Sequence, residues 1–448
     1  MGLSSETIAA LASAPGRGGV GVIRVSGPLI ESIMPGLLGQ TLKPREAKFL
    51  PFLDGTGEIL DRGIALFFPA PRSFTGEAVL ELHAHGNPLL IDSILSRLFQ
   101  LGCRPARPGE FTERAFLNQK LDLTQAEAIA DLITAETSRG LRAARRSLEG
   151  EFSNRVHSLV ETVIELRMHV ESAIDFTDED IDFLDLSALE SRLSLIQEAL
   201  AALLGAARQG VLLREGMTLV LAGKPNAGKS SLFNFLAGSA RAIVTDIPGT
   251  TRDTLSDFIE IEGLAVKMID TAGLRAHTQD SIEAEGMRRA RQALGQADKI
   301  LIVVDDRFPE DLEEMLQEIP ENQDRLIIRN KIDLSGKAPE LIMGSGATEI
   351  RLSLKTGEGL ELLIRQLSPK GLEESQIEGD FMARRRHIEA LKSASGELDQ
   401  AHRTLKHQNL ELLAEHLQRA QRQLGEITGA FTSEDLLGRI FSSFCIGK

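Results

Sequence analysis

The spacing of hydrophobic and polar positions changes character several times along the 448 residues. Up to about residue 120, short apolar runs between Gly and Pro turns predict strands at Gly19–Val25, Gly63–Phe68 and Ala78–His85, then a helix over Pro88–Leu101. That mixture predicts an α+β domain. From Thr124 the apolar positions take helical spacing, and Leu, Ala and Glu dominate through Leu213, which predicts several long helices. Thr124 and Glu127 have the spacing of a capping box at their start. Between Met217 and about Leu367 strand-like and helix-like stretches alternate, the pattern of a doubly wound parallel sheet. After the polar stretch Pro369–Asp380, helical periodicity resumes at Ala383.

Two helical stretches flanking a compact α/β unit predict an insertion, because each helical stretch needs the other to bury its apolar stripe. The resulting division is 1–120, 121–214, 215–370 and 371–448.

The chemistry is concentrated in the third segment. Residues 223–231 read Gly-Lys-Pro-Asn-Ala-Gly-Lys-Ser-Ser directly after the apolar run Met217–Ala222, where a strand should feed a phosphate-binding loop. Gly223 and Gly228 allow the backbone to turn its amides towards phosphate oxygens, along with Asn226, Ala227 and Ser231. Lys229 should reach the terminal phosphates and Ser230 a magnesium ion. Asp270-Thr271-Ala272-Gly273 follows the apolar stretch Leu264–Ile269, placing a carboxylate beside the magnesium and Gly273 near the terminal phosphate. Asn330-Lys331-Ile332-Asp333 follows a second strand, Arg325–Ile328, and Ser353-Leu354-Lys355 follows Glu349–Leu352. An Asp accepting from the guanine ring N–H and exocyclic amine rejects adenine, so the expected ligand is GTP. Any one of these segments alone reads as a strand-end turn; all of them in order, each after a strand-like run, do not.

Thr245-Asp246-Ile247-Pro248-Gly249-Thr250-Thr251 lies between the first two motifs, a polar loop placed to cover the terminal phosphate, with Thr251 completing the magnesium shell. Leu274 stands where many regulatory GTPases carry a water-orienting Gln, and a leucine cannot make those hydrogen bonds. Glu283 and Glu285 are the acidic candidates for that task. Asn226 is placed to offer a side-chain oxygen to a monovalent cation near the phosphates, or else to hold its own loop.

Composition narrows the remaining choices. No apolar run approaches the ~20 residues of a membrane span, and the first residues lack a basic segment followed by a long apolar one, so a cytoplasmic protein off the membrane is expected. Two cysteines, Cys103 and Cys445, fit a reducing compartment. A net charge of −15 argues against coating nucleic acid by bulk electrostatics, so any RNA contact must be local or shared. Tyr and Trp are absent, which weakens a base-stacking platform. His83 and His85 share a strand face, without a third ligand nearby for zinc. Asp178–Asp182 reads as a solvated acidic turn, and Arg384-Arg-Arg-His387 as a helix start able to touch RNA phosphate.

Taken together, Ala14–Val20, Ser73–Glu77, Arg107–Thr112, Gly223–Ser231, Asp246–Asp253 and the terminal Phe444-Cys445-Ile446-Gly447-Lys448 resemble the MnmE (TrmE) family of bacterial tRNA modification GTPases over essentially the whole chain. The resemblance implies a Ras-like P-loop GTPase domain inserted into an all-α helical domain, preceded by an α+β folate-binding and dimerisation domain. It implies a homodimer that works with a partner, MnmG, to add an aminomethyl or carboxymethylaminomethyl group to C5 of the wobble uridine of certain tRNAs. FAD and NADH belong to that partner, and the one-carbon unit comes from a tetrahydrofolate derivative of the 5-formyl or methylene type.

The resemblance also implies potassium at Asn226, Thr245, Ile247 and Thr250, magnesium at Ser230 and Thr251, and dimerisation of GTPase domains through potassium. It selects Glu283 as the water-orienting residue, catalytic together with Lys229. Folate contacts carry over to Arg24, Glu81, Lys120 and Lys448, and Cys445 is a candidate thiol. Pro248 and Leu354 depart from the family pattern without touching the chemistry. The competing reading is a switch GTPase in ribosome assembly, which shares the nucleotide motifs but usually carries a compact RNA-binding module.

Overall fold

The computed structural model describes residues 6–175, 185–239, 241–242, 256–261, 263–270, 288, 292–319, 323–344, 347–367, 380–431 and 434–447. The chain divides into two compact units, one of residues 1–130, 147–198 and 390–448 and the other of 131–146 and 199–389.

The first unit opens with a six-stranded sheet in the order β3-β4-β5-β2-β1-β6. Its strands are β1 (Ile8–Leu11), β2 (Gly18–Ser26), β3 (Lys48–Leu53), β4 (Ile59–Phe68), β5 (Val79–Gly86) and β6 (Arg104–Pro105). All neighbours are antiparallel except β1 and β6. Period-two alternation sends Ile23, Val25, Leu80, Leu82, Ala65, Phe67 and Phe52 into one core, together with residues of α1 (Ile30–Leu38) and α2 (Pro88–Gln100). The other face carries a cross-strand row of Phe49, Ile64, His83 and Val22, and beside it Leu66, Glu81, Arg24 and Ala10. Phe49 and Ile64 are 66% and 39% exposed, so this face is only partly covered. The sequence missed β1 and β3, which are short or broken by Pro51.

The long helices bury residues at alternating spacings of three and four. Phe152, Val156, Leu159, Val163, Leu166 and Val170 do so in α6 (Glu151–Asp175), and Leu413, Leu417, Ala420, Leu424 and Ile427 in the helix Leu410–Thr428 that packs along it. An average near 3.5 is the spacing of a coiled-coil seam. The helix Arg385–Lys406 buries Leu391, Ala394, Leu398, Ala401 and Leu405 in the same way. The capping box at the start of α4 (Leu123–Thr134) is formed two residues earlier than the Thr124 and Glu127 pattern predicts. Asp122 Oδ1 accepts from Gln125 N at 2.9 Å while Gln125 Oε1 accepts from Asp122 N at 3.0 Å, and Thr124 Oγ1 donates to Asp122 at 2.7 Å. Asp122 is the stronger cap because its carboxylate takes both donors.

In the second unit, an eight-stranded sheet runs β13-β14-β12-β11-β7-β10-β9-β8. Five central strands are mutually parallel: β14 (Thr348–Arg351), β12 (Arg325–Asn330), β11 (Lys299–Asp305), β7 (Met217–Ala222) and β10 (Leu264–Asp270). Antiparallel β13 (Glu340–Met343) closes one edge, and β9 (Ser256–Ile261) with β8 (Arg241–Ala242) the other. Both faces are covered, so alternate residues enter different cores. Leu219, Leu221, Leu301 and Val303 go to one side, and Val220, Ala222, Ile300, Ile302 and Val304 to the other.

One buried charge network braces the first unit. Glu110, 2% exposed, accepts from Arg104 at 2.6 and 2.8 Å, from Arg114 at 3.1 Å and from the Arg107 N–H at 2.8 Å. Burial alone raises its pKa, but the hydrogen bonds from Arg104, Arg107 and Arg114 outweigh that and hold it at about 2 against an ordinary 4.5. A depressed carboxylate pKa contributes stability above 4.5 that is lost as pH falls towards 2. The urea midpoint should therefore fall between pH ~5 and ~3 in the wild type. In Glu110→Gln the midpoint should be lower at neutral pH, by a change worth about 3–5 kcal/mol, and its acid dependence shallower.

Candidate nucleotide-binding site

The C-terminal ends of β7, β11, β12 and β14 supply loops that face one another, as they must in an open parallel sheet. The loop after β7 turns at Asn226 (φ 62°) and Gly228 (φ 114°) and starts the helix Lys229–Ser239. A Cβ on Gly228 would stand 2.2 Å from Asn330 Nδ2, and one on Gly223 2.4 Å from the Val303 carbonyl oxygen, so both positions require glycine. Lys229 is 5% exposed, and its Nζ donates to the carbonyls of Gly223 and Lys224 at 2.7 Å each. The loop thus curls around its own ammonium at a helix N-terminus, the arrangement that phosphate-binding loops use.

Asn330, at the end of β12, is the strut of the site. Its Nδ2 donates to Ala227 O at 2.9 Å and its Oδ1 accepts from Leu354 N at 3.1 Å, joining three loops through one buried amide. Lys331 takes a left-handed backbone (φ 69°) and donates from Nζ to Asn226 O at 2.7 Å and to Asp305 Oδ2 at 2.8 Å. Asp333 Oδ1 accepts from the fully buried Ser353 Oγ at 2.7 Å. A cavity of about 630 Å³ lies between these loops, lined by Asn226, Lys229, Ser230, Ser231, Asp333 and Lys355 among others. That volume suits a nucleotide.

Sequence reasoning overlooked Asp305 and Asp306, whose only signal was their place at the end of the apolar run of β11. Arg307 donates to both carboxylate oxygens of Asp305, at 3.0 and 2.8 Å. That fork, aided by Lys331, holds the Asp305 carboxyl well below the usual carboxylate range, so it remains an anion that positions Lys331. Asp306 accepts from Ser335 Oγ at 2.6 Å and from Lys337 at 3.2 Å, fixing the segment after Asp333.

The backbone of Asp270 ends β10 beside β7, in register with Leu221. Thr245, Asp246, Ile247, Pro248, Gly249, Thr250, Thr251, Thr271, Ala272, Gly273, Leu274, Glu283, Glu285 and Lys448 lie outside the described residues, as does Asp178–Asp182.

Two further predicted residues lie on the partly covered face of the N-terminal sheet. Arg24 and Glu81 are paired across β2 and β5, with guanidinium-to-carboxylate distances of 2.9 and 3.0 Å. The Arg24 guanidinium also lies 5.1 Å from the centre of the Phe74 ring and 5.8 Å from that of Phe111. Lys120 Nζ donates to Pro71 O at 3.1 Å. The C-terminal segment reaches the same sheet. Phe441 and Phe444 are buried with Leu123 and Ala126, the Cys445 carbonyl accepts from Gly109 N at 3.3 Å, and a Cβ on Gly447 would stand 2.0 Å from Leu11 O. Cys445 is exposed, whereas burial pushes the Cys103 thiol up to about 12 and leaves it inert.

Carboxylates stand beside the remaining candidates. His85 Nδ1 lies 2.9 Å from Asp61, and His83 Nε2 3.9 Å from Glu81. Arg384 and Arg385 form ion pairs with Asp131 and Glu215, at 2.9 and 3.0 Å. Among the described residues no cluster of three or more His, Cys, Asp or Glu is arranged to hold a metal ion. Nor is any described helix long and apolar enough to cross a membrane.

A family model of the GTP-binding protein TrmE N-terminus matches residues 7–120, and one of the MnmE helical domain matches residues 123–445. The tRNA modification GTPase MnmE of Pseudomonas paraeruginosa (strain DSM 24068 / PA7) is 54% identical over 456 residues, covering 100% of both chains. The chain belongs to the MnmE family. The tRNA modification GTPase MnmE of Methylococcus capsulatus (strain ATCC 33009 / NCIMB 11132 / Bath) is 52% identical over 443 residues and 99% of both chains. Among solved structures, the G domain of the T. maritima FeoB iron transporter is 29% identical over 34% of this chain and 95% of that one, at a TM-score of 0.25 too low to carry an argument. The fold class read from the sequence is that of MnmE, a Ras-like GTPase fold inserted in chain order into a helical domain behind an α+β domain. This member is a GTPase.

Gly228→Ala should abolish nucleotide binding, weakening it by at least about 100-fold because the new methyl group displaces Asn330. Fluorescent-GDP titration measures the loss, and a melting temperature kept close to wild type would separate it from unfolding.

Proposed function

We propose that this chain hydrolyses GTP in the service of tRNA modification, and that with MnmG it adds an aminomethyl or carboxymethylaminomethyl group to C5 of the wobble uridine. The observation that carries the nucleotide half of this reading is the convergence of the 223–231, 330–333 and 353–355 loops on one cavity through Asn330. In it, Asp333 and the 353–355 loop read the guanine, and residues 226–231, 245–251 and 270–273 surround the phosphates. Lys229 exchanges its two loop carbonyls for the terminal phosphates, and Glu283 orients the attacking water.

The residues present fit the expected cations. Asn226 and Ser230 line the cavity and offer side-chain oxygens, the donors that hard cations take. Magnesium would be held by Ser230 and Thr251, and potassium by Asn226, Thr245, Ile247 and Thr250. Both ions supply positive charge against the charge that develops on the phosphates. Dimerisation of GTPase domains across their nucleotide faces would complete this arrangement within a cytoplasmic homodimer.

The Arg24–Glu81 pair, with Phe74 and Phe111 beside it, fits a flat, carboxylate-bearing ligand, and we assign it with Lys120 and Lys448 to a tetrahydrofolate derivative. The folate-bearing segment is 1–120, the helical parts are 121–214 and 371–448, and the GTPase part is 215–370. Cys445, exposed at the tail, is retained as a candidate thiol. FAD and NADH are left to MnmG.

The test is the GTP hydrolysis rate in potassium chloride against sodium chloride at matched ionic strength, for wild type and Asn226→Ala. Stimulation of about 10- to 100-fold, short of the ~10³–10⁵ of an arginine finger, should be present in the wild type and lost in the variant. Indifference to the cation would sink the potassium mechanism and favour a partner-activated switch of the ribosome-assembly kind.

A further inference from the structure

The root of the inserted sheet holds a second constellation. The chain enters β7 from α7 (Leu186–Glu215) through Gly216 alone and leaves along Phe381–Arg384. These two stretches are in contact, because a Cβ on Gly210 would stand 2.5 Å from Phe381 O. Asp131, 5% exposed, accepts at one oxygen from Arg214 of the entry and Arg384 of the exit, both at 2.9 Å. A second carboxylate, Asp380 of the exit, accepts from Arg139 Nε at 2.8 Å, with both side chains under 10% exposed.

Arg139 does more than pair. Its stem lies on the turn between β9 and β10, where a Cβ on Gly263 would come within 3.0 Å of Arg139 Cβ and 3.1 Å of Cδ. That hairpin has a particular place in the sequence. β9 begins at Ser256, just past the 245–251 segment, and β10 ends at Asp270, the first residue of the Asp-Thr-Ala-Gly motif. Its two strands pair from Ile269 and Ser256 back to Leu264 and Ile261. The Arg139 end is therefore the far end of a lever roughly 20 Å long, whose near end adjoins both segments expected to sense the terminal phosphate. A cavity of about 220 Å³ at the root of the inserted sheet is lined by Asp131, Thr137, Arg214, Ala265, Lys267 and Met382.

Stability alone is a poor reason for such a pair, since apolar residues of equal volume serve as well in a buried site. An ion pair, however, fixes one geometry between the turn, the exit segment and α5 (Ser138–Leu148). We propose that Arg139 and Asp380 are positioning residues that carry the state of the bound nucleotide from the β9–β10 hairpin to the helical segment 131–146. The proposal rests on the nucleotide-site reading above.

Hydrogen–deuterium exchange on the full-length chain tests it, comparing GDP with the non-hydrolysable analogue guanosine 5′-(β,γ-imido)triphosphate in magnesium and potassium. In the wild type, amide exchange within 138–146 should differ about fivefold between the two nucleotides. The difference should vanish in Arg139→Met, which keeps the stem and removes the charge, and return in the charge-swapped Arg139→Asp/Asp380→Arg. An undiminished difference in Arg139→Met, a wild type indifferent to nucleotide at 138–146, or no recovery in the swap would each overturn the proposal. Protection of residues 223–231 by either nucleotide is read in the same experiment, and its absence would instead overturn the nucleotide-site reading.

Discussion

A parallel sheet buried on both faces has nowhere to display chemistry except at the ends of its strands. In this chain β7 and β11 place alternate residues in two separate cores, so no residue in mid-strand is available to a ligand. The polar groups that meet around the cavity lie at the C-terminal edge, where Asp305, Asn330 and the loop starting at Gly223 come together. The edge is then tied together by a small number of buried polar groups. Asn330 joins the phosphate loop to the 353–355 loop, Lys331 joins it to Asp305, and Ser353 orients Asp333. Since each group is satisfied by another loop, displacing one releases its partners as well.

The N-terminal sheet obeys a different rule. It is largely antiparallel with helices on one face, so its other face is free to carry a polar pair in mid-strand, and Arg24 and Glu81 occupy that position. The C-terminal segment docks nearby because its phenylalanines have apolar partners around Leu123 and because Gly447 presents no side chain to the backbone of Leu11. A tail far away in sequence thereby becomes part of the first unit.

How legible each feature was depended on whether its cause is local. The strands β2, β5, β7, β10, β12 and β14 were readable because their apolar runs are bounded by Gly, Pro or Asp. β1, β3 and β13 were not, since strands of four to six residues acquire their character from the neighbours they pair with. The helix start at Asp122 was displaced for a related reason. Two overlapping cap patterns competed, and the carboxylate, which accepts from two donors at once, prevailed.

By itself the sequence marked the phosphate loop, the 330–333 and 353–355 segments and most of the parallel strands, because glycines at a tight turn and polar residues after an apolar run act within a few residues of themselves. It also marked Arg24 and Glu81 as residues of interest, though only through family likeness. The tertiary structure decided that Asn330 is a strut between loops, that Asp305 with Arg307 holds Lys331, and that Arg139 reaches Asp380 across 241 residues to rest on the turn at Gly263. Each of these joins groups distant in sequence. No local spacing encodes such contacts, which exist only once the sheet and helices have packed.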